Sequence, residues 1–222
     1  MLNVKGREHS RPFLFERKMM SNTKNIIFDI GYVLIRWNPD RVYDAYFGDK
    51  EKVKLFYEET GIFKLNQEID KGLPFDEALK ILAAQFPHYH EPILHWKDKW
   101  RDMIEGPVEQ SVNVLKRLHQ LNYPLFALTN WSAETFPYVL HKYDFFSCFR
   151  DIVVSGREKV IKPDFKIYDI LLKRNHLQPQ HCIFIDDNMD NLHSAKHLGM
   201  STIHFVTSEQ LEIDLRALGI IL

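Results

Sequence analysis

The chain has 222 residues, 45% of them apolar, enough to bury a full core as one large domain or two small ones. Its 29 Lys and Arg nearly balance 30 Asp and Glu, so no overall basic field draws it to nucleic acid or anionic lipid. Two cysteines, Cys148 and Cys182, both among apolar residues, argue against a disulfide framework or a cysteine metal site, and no apolar run approaches the ~18 residues that span a bilayer.

Met1 to Lys24 is basic and polar and lacks the apolar stretch of a secretory signal. Residues 1–23 read as a flexible extension, with Met19 and Met20 standing just before the first strand, and a cytoplasmic location is expected. The run Asn25-Ile26-Ile27-Phe28 then reads as a buried strand, short and rich in β-branched residues. Asp29 falls at its carboxyl end, and Gly31 lets the chain turn away with its carbonyl exposed. Val33 to Trp37 continues extended until Asn38-Pro39-Asp40 breaks it.

From Arg41 to about Glu105 apolar residues recur at three- and four-residue intervals, as in Ala78-Leu79-Leu82-Phe86, punctuated by Gly61, Gly72-Leu73-Pro74 and Pro87. Trp96, Trp100 and Met103 extend a final helix that Gly106-Pro107 stops, and no strand is expected in the block. Beyond Pro107 helices and strands alternate. Strands are expected at Pro124–Leu128, Asp151–Val154, Cys182–Ile185 and Ser201–Phe205, with helices at Val108–Leu121, around Phe136–His141, and at Phe165–Arg174, Leu192–Leu198 and Ser208–Leu218. Such alternation means right-handed βαβ units and a doubly wound parallel sheet, an α/β core with a small helical insertion after strand 1. The expected division is 24–39 with 107–222 as core and 40–106 as insertion.

In an open α/β sheet ligands bind at the carboxyl ends of the strands. A lone Asp there can simply cap a turn, but three further stretches reach the same end. Thr129-Asn130 offers a hydroxyl, an amide and backbone N–H groups suited to an oxyanion. Lys162, in Ile161-Lys162-Pro163-Asp164, offers a compact positive charge for a phosphoryl oxygen or for Asp29. Asp186-Asp187 places two adjacent acids at the mouth of a strand, where they repel unless a cation lies near. Oxygen ligands beside a phosphate site favour magnesium.

Taken in order, Asp29, Thr129-Asn130, Lys162-Pro163 and Asp186-Asp187 resemble the four motifs of the haloacid-dehalogenase-like (HAD) hydrolase superfamily. The resemblance runs from Lys24 to Phe205 and includes an insertion where that superfamily places an alpha-helical cap. Ile161-Lys162-Pro163-Asp164-Phe165-Lys166-Ile167-Tyr168 and Asp186-Asp187-Asn188-Met189-Asp190-Asn191 look like the subgroup of the bacterial glucose-1-phosphate phosphatases. The resemblance implies a Rossmann-like core and Mg2+-dependent phosphoryl transfer to Asp29. Asp29, the Gly31 carbonyl and Asp187 would hold the metal, with Asp186 as a ligand or just behind it. Thr129, Asn130 and Lys162 would hold phosphoryl oxygens. One position departs from the pattern: most phosphatases of the superfamily carry a second Asp, the general acid, where this chain has Gly31.

The expected function is therefore hydrolysis of a small phosphorylated metabolite, sugar-phosphate-like, by a monomer or homodimer that engages neither nucleic acid nor membrane. Two alternatives stand beside it. One is a 2-haloacid dehalogenase, which needs no metal and against which Asp186-Asp187 argues. The other is a catalytically weak phosphate- or partner-binding module, supported only by Gly31. His193 and His197 lack a third ligand nearby, and the histidines at 88, 90 and 95 are read as solvated. The rings of Phe75, Phe86, Tyr89, Trp96 and Trp100 read as the insertion's own core, while Arg36 and Trp37 are placed where they could touch substrate.

Overall fold

The computed structural model describes residues 24–222, and the expected extension over 1–23 lies outside them. Seven strands are described in chain order: β1 (Asn25–Phe28), β2 (Ile35–Trp37), β3 (Ile104–Pro107), β4 (Leu125–Thr129), β5 (Asp151–Val154), β6 (Cys182–Asp186) and β7 (Ser201–His204). Five of them form one parallel sheet in the order β5-β4-β1-β6-β7. β1 is central, and the chain winds outward from it first through β4 and β5, then through β6 and β7. The topological switch therefore falls between β1 and β6, the place where an open α/β sheet has a crevice.

The central strands are continuous apolar runs because helices cover both faces. Alternate side chains go to opposite sides. Ile27, Phe126, Leu128, Val153 and Phe184 pack with Ile167, Tyr168 and Leu171 of helix Phe165–Arg174 and with Leu192 and Ala195 of helix Met189–His197. Ile26, Phe28, Leu125, Ala127, Ile183 and Ile185 face the other way, toward Val112 and Leu115 of helix Glu109–Gln120 and Leu211 and Leu215 of helix Ser208–Ala217. Burying each such aliphatic or aromatic side chain contributes about 1.5–3 kcal/mol.

Helices Asp40–Phe47, Lys50–Thr60, Ile62–Asp70, Phe75–Gln85 and His90–Asp98 make up the inserted segment. Its aromatic residues are not a separate core. Tyr43, whose ring lies 4.9 Å from that of Phe56 and 5.8 Å from that of Trp96, belongs to the same hydrophobic cluster as Ile26 and Phe28 of the sheet.

Two local expectations are corrected. The chain does not run extended from Val33: Tyr32 adopts a left-handed φ of 57°, the Leu34 N–H donates to the Ile30 carbonyl at 2.9 Å, and only Ile35–Trp37 forms a strand. At the far end of the insertion the last helix stops at Asp98. Trp100–Met103 forms a 3-10 turn, and Ile104–Pro107 is strand β3, antiparallel to β2. Ile104–Pro107 is a strand because Ile35–Trp37, far earlier in the chain, supplies its hydrogen bonds, with Arg36 opposite Gly106. Among the described residues no helix is long and apolar enough to cross a membrane.

Candidate active site

Parallel pairing of β1 with β6 sets Phe28 beside Ile185, and the Asp29 N–H donates to the Ile185 carbonyl at 2.8 Å. Asp29 and Asp186 are thereby held at the switch point. Between them lies Lys162, 2% exposed, with Nζ 2.9 Å from Asp29 Oδ1 and 2.7 Å from Asp186 Oδ2. Asp29 Oδ1 also accepts from the Ile30 N–H at 2.7 Å, whereas Oδ2 makes no hydrogen bond among the described residues. Asp29 thus has one oxygen pinned and one free.

Asp186 is fully buried and saturated. Its Oδ1 accepts from the Asn188 N–H (2.8 Å) and Asn191 Nδ2 (3.0 Å), and its Oδ2 from Lys162 and Asn191 (3.1 Å). Asn188 in turn caps helix Met189–His197 by accepting from the Asp190 N–H. Buried acids survive when every lone pair is engaged, so Asp186 organises Lys162 and the loop beyond β6. Asp187, one residue past the strand, is only half-buried and faces the cavity.

Oxygens of Asp29, Asp186 and Asp187 lie within 4.8 Å of one another. Three carboxylates against one ammonium leave a local excess of negative charge. Burial, opposed by Lys162 and reinforced by Asp186 and Asp187, pushes the Asp29 carboxyl up to about 7. Burial and Asp186 likewise raise Asp187. Burial works against the charge of Lys162, but Asp186 and Asp29 overcome it and raise its pKa, so it stays an ammonium. The donor set is all oxygen, carries excess negative charge and opens to a cavity, which fits a hard divalent cation.

Asn130 clamps the lysine loop through both ends of its amide: Nδ2 donates to the Lys162 carbonyl at 3.0 Å and Oδ1 accepts from the Lys162 N–H at 2.8 Å. One Nδ2 proton remains for an anion. Thr129 is fully buried at the end of β4, and its hydroxyl has no partner among the described residues; nor does the indole N–H of Trp37. Orphaned buried donors of this kind are costly unless a ligand engages them. Gly31 lines the cavity, its carbonyl accepting from the Val33 N–H at 2.6 Å. Its φ is not in the left-handed region and a Cβ there would meet nothing within 4 Å. The strained residue of this turn is Tyr32. Gly156, by contrast, is obligatory, because a Cβ would collide with the Ala133 N–H where the turn after β5 packs on the loop after β4.

The cavity measures about 220 Å³, and its wall includes Asp29, Gly31, Lys162, Asp187 and Asn130 from the core. Of the two residues ahead of the insertion placed near substrate, Trp37 lines it and Arg36 does not. Among the insertion's rings, Trp100 lines it. Asn66, Asp70, Trp131 and Asn191 also belong to the wall or its support and had no role assigned from sequence. Asn191 stands in the stretch quoted after Asp186-Asp187, and Asp70 lies just ahead of the Gly72-Leu73-Pro74 break, at the helix end that disfavours negative charge.

This chain is 25% identical over 201 residues to a sesquiterpene phosphatase of Aspergillus oryzae, covering 90% of this chain and 98% of that protein. It is 26% identical over 198 residues to a D-ribitol-5-phosphate phosphatase of Bacteroides thetaiotaomicron, covering 81% and 90%. A drimenol cyclase of Aspergillus calidoustus is 25% identical over 193 residues; the match covers 86% of this chain but only 35% of that longer protein. Among solved structures, the magnesium complex of the HAD family enzyme bt-2542 from Bacteroides thetaiotaomicron superposes with a TM-score of 0.70 at 19% identity, covering 88% of this chain and 99% of that one. Residues 65–205 match the haloacid dehalogenase-like hydrolase family, a span that takes in Lys162, Asp186 and Asp187 and to which the sheet adds Asp29. The chain belongs to that family of hydrolases.

Proposed function

We propose that the protein is a magnesium-dependent phosphatase acting on a small phosphorylated metabolite of sugar-phosphate type through an aspartyl-phosphate at Asp29. The observation that carries this reading is the arrangement of Asp29, with Oδ1 held by Lys162 and the Ile30 N–H and Oδ2 free at the cavity. Oδ2 attacks phosphorus in line, the P–O bond to the leaving group breaks, and water then cleaves the acyl phosphate. Lys162 neutralises charge at the nucleophile and, with the Thr129 hydroxyl and the free Asn130 N–H, binds phosphoryl oxygens. Asp29, the Gly31 carbonyl and Asp187 would hold Mg2+, which when bound neutralises charge on the phosphoryl group. Asp186 supports that set from behind, through Lys162 and Asn191.

A cavity of about 220 Å³ is small beside the ~300–1,000 Å³ of pockets for larger ligands, which suits a compact substrate. The rings of Trp37, Trp100 and Trp131 on its wall suit the C–H faces of a polyol or sugar. Segment 40–106 serves as a cap that excludes water and selects the leaving group. The relatives named for phosphatase activity, one on D-ribitol 5-phosphate, support this reading. The test is phosphate release from 4-nitrophenyl phosphate and from sugar phosphates with magnesium and with excess EDTA. Release only with magnesium is expected. Full release in EDTA would remove the metal from the reading, and chloride release from 2-chloropropionate would replace it with dehalogenation.

A further inference from the structure

We propose that Asp70, carried by the inserted helical segment, donates the proton to the leaving oxygen that Gly31 cannot supply. This rests on the phosphatase reading above and adds a residue to it. An alkoxide leaving without a proton is a poor leaving group, and no acid follows Asp29 at the turn: position 31 is glycine. Asp70 lines the same cavity as Asp29, from the opposite part of the chain. It is the last residue of helix Ile62–Asp70, where unsatisfied carbonyls disfavour a carboxylate and favour the neutral acid.

Its neighbours hold it in place. Asn66 Nδ2 donates to Asp70 Oδ2 at 2.9 Å while Asn66 Oδ1 accepts from the Trp96 indole at 2.9 Å, so the amide is held in one orientation. The Ser132 N–H donates to the same carboxyl, and the Ser155 hydroxyl anchors the Asp70 carbonyl. These contacts fix the side chain across the seam between insertion and core. None of its partners belongs to the set proposed to hold the metal.

The charged residues packed nearby are engaged elsewhere. Lys159 donates to the Gly72 carbonyl, Arg157 lies over the Phe136 ring, and Glu158 pairs with Arg174. The other ionisable groups on the cavity wall, Asp29, Lys162, Asp187 and Tyr32, come from the core, and Asp70 forms no ion pair with any of them among the described residues. Burial, opposed by the Ser132 N–H, pushes the Asp70 carboxyl up to about 7. It is then protonated in part at neutral pH, the condition for an effective general acid.

Asp29 Oδ2 forms its bond to phosphorus, the bond from phosphorus to the bridging oxygen breaks, and that oxygen takes the electron pair and the Asp70 proton. The Asp70 carboxylate then removes a proton from the water that attacks the aspartyl-phosphate, which returns Asp70 to its acid form and releases phosphate.

The test compares kcat/KM for an alkyl phosphate and for 4-nitrophenyl phosphate, whose leaving group needs no proton, in the wild type, Asp70→Asn, and Asp70→Asn combined with Gly31→Asp. Loss of general acid catalysis is worth ~10²–10⁴-fold. Asp70→Asn is expected to lower alkyl phosphate turnover by that range and aryl turnover by less than about tenfold, and to remove the alkaline fall of the alkyl pH profile. Gly31→Asp, for which the turn has room, is expected to restore alkyl turnover at least tenfold in the Asp70→Asn background. An equal loss for both substrates, with no recovery on adding Gly31→Asp, would make Asp70 a docking residue and overturn the proposal. So would an Asp70→Asn protein with wild-type alkyl turnover. A wild type that releases no phosphate from either substrate with magnesium would bring down the phosphatase reading itself, and this proposal with it.

Discussion

Lys162→Met tests the electrostatics of the site without reference to its substrate. Methionine keeps an apolar stem but removes the ammonium, which sits 2.9 Å from Asp29, 2.7 Å from Asp186 and 5.5 Å from the centre of the Phe184 ring. Breaking a buried pair by removing one partner costs about 3–5 kcal/mol, because the remaining charge stays buried and uncompensated. Here two carboxylates remain, so a destabilisation of that size is expected at pH 8 in EDTA. The sign of its pH dependence follows from linkage. Asp29 already stands at about 7 with the lysine present, because burial raises it and Lys162 only partly opposes that. Removing the lysine raises it further. A carboxyl raised in the folded state costs stability once pH exceeds the ordinary value of 3.8, and the cost grows until pH passes the folded value. Above about 7 the variant continues to lose stability where the wild type has stopped, by about 1.4 kcal/mol per pH step. Urea unfolding at pH 6 and pH 8 reads this directly. A loss below about 1 kcal/mol, or the same loss at both pH values, would refute Lys162 as the charge that holds the acids together.

Three further outcomes are expected. Asp29→Asn keeps the volume and the bond from the Ile30 N–H to Oδ1, so circular dichroism should be unchanged while phosphate release falls by at least about 10³-fold. Adding magnesium to metal-free protein should raise the unfolding temperature in a concentration-dependent way, and Asp187→Asn should abolish that shift. Asp70→Asn should gain stability relative to wild type as pH rises from 5 to 8, by about 3 kcal/mol, because the wild-type carboxyl, raised from 3.8 to about 7, pays for ionising in the fold.

The amino-acid sequence by itself determined the layers and the chemical inventory. Apolar runs as short as Leu125–Leu128 and Cys182–Ile185, bounded by turn residues, read as strands covered on both faces, and the helices between them cross over right-handedly, so β1, β4 and β6 and their terminal residues were legible. Asp29 and the Asp186-Asp187 pair stood out because acids at the mouth of a buried strand need a reason, and Lys162 as a positive charge in a loop that could reach them. What the sequence could not decide was everything that depends on pairing between distant segments. Ile104–Pro107 is a strand only because Ile35–Trp37 lies against it, and no local pattern carries that information. Asn130 offered an amide for an anion, yet tertiary structure turns it onto the main chain of Lys162. Asp186 and Asp187 are equivalent by position, but the pleat sends one into the sheet, where Lys162 and Asn191 saturate it, and leaves the other at the cavity. Apart from its place at a helix end, Asp70 had no sequence feature that set it apart from other acids of the insertion. It becomes a half-buried acid facing Asp29's cavity because folding brings the insertion down over the strand ends, and desolvation, unlike spacing, exists only once both sides are in place.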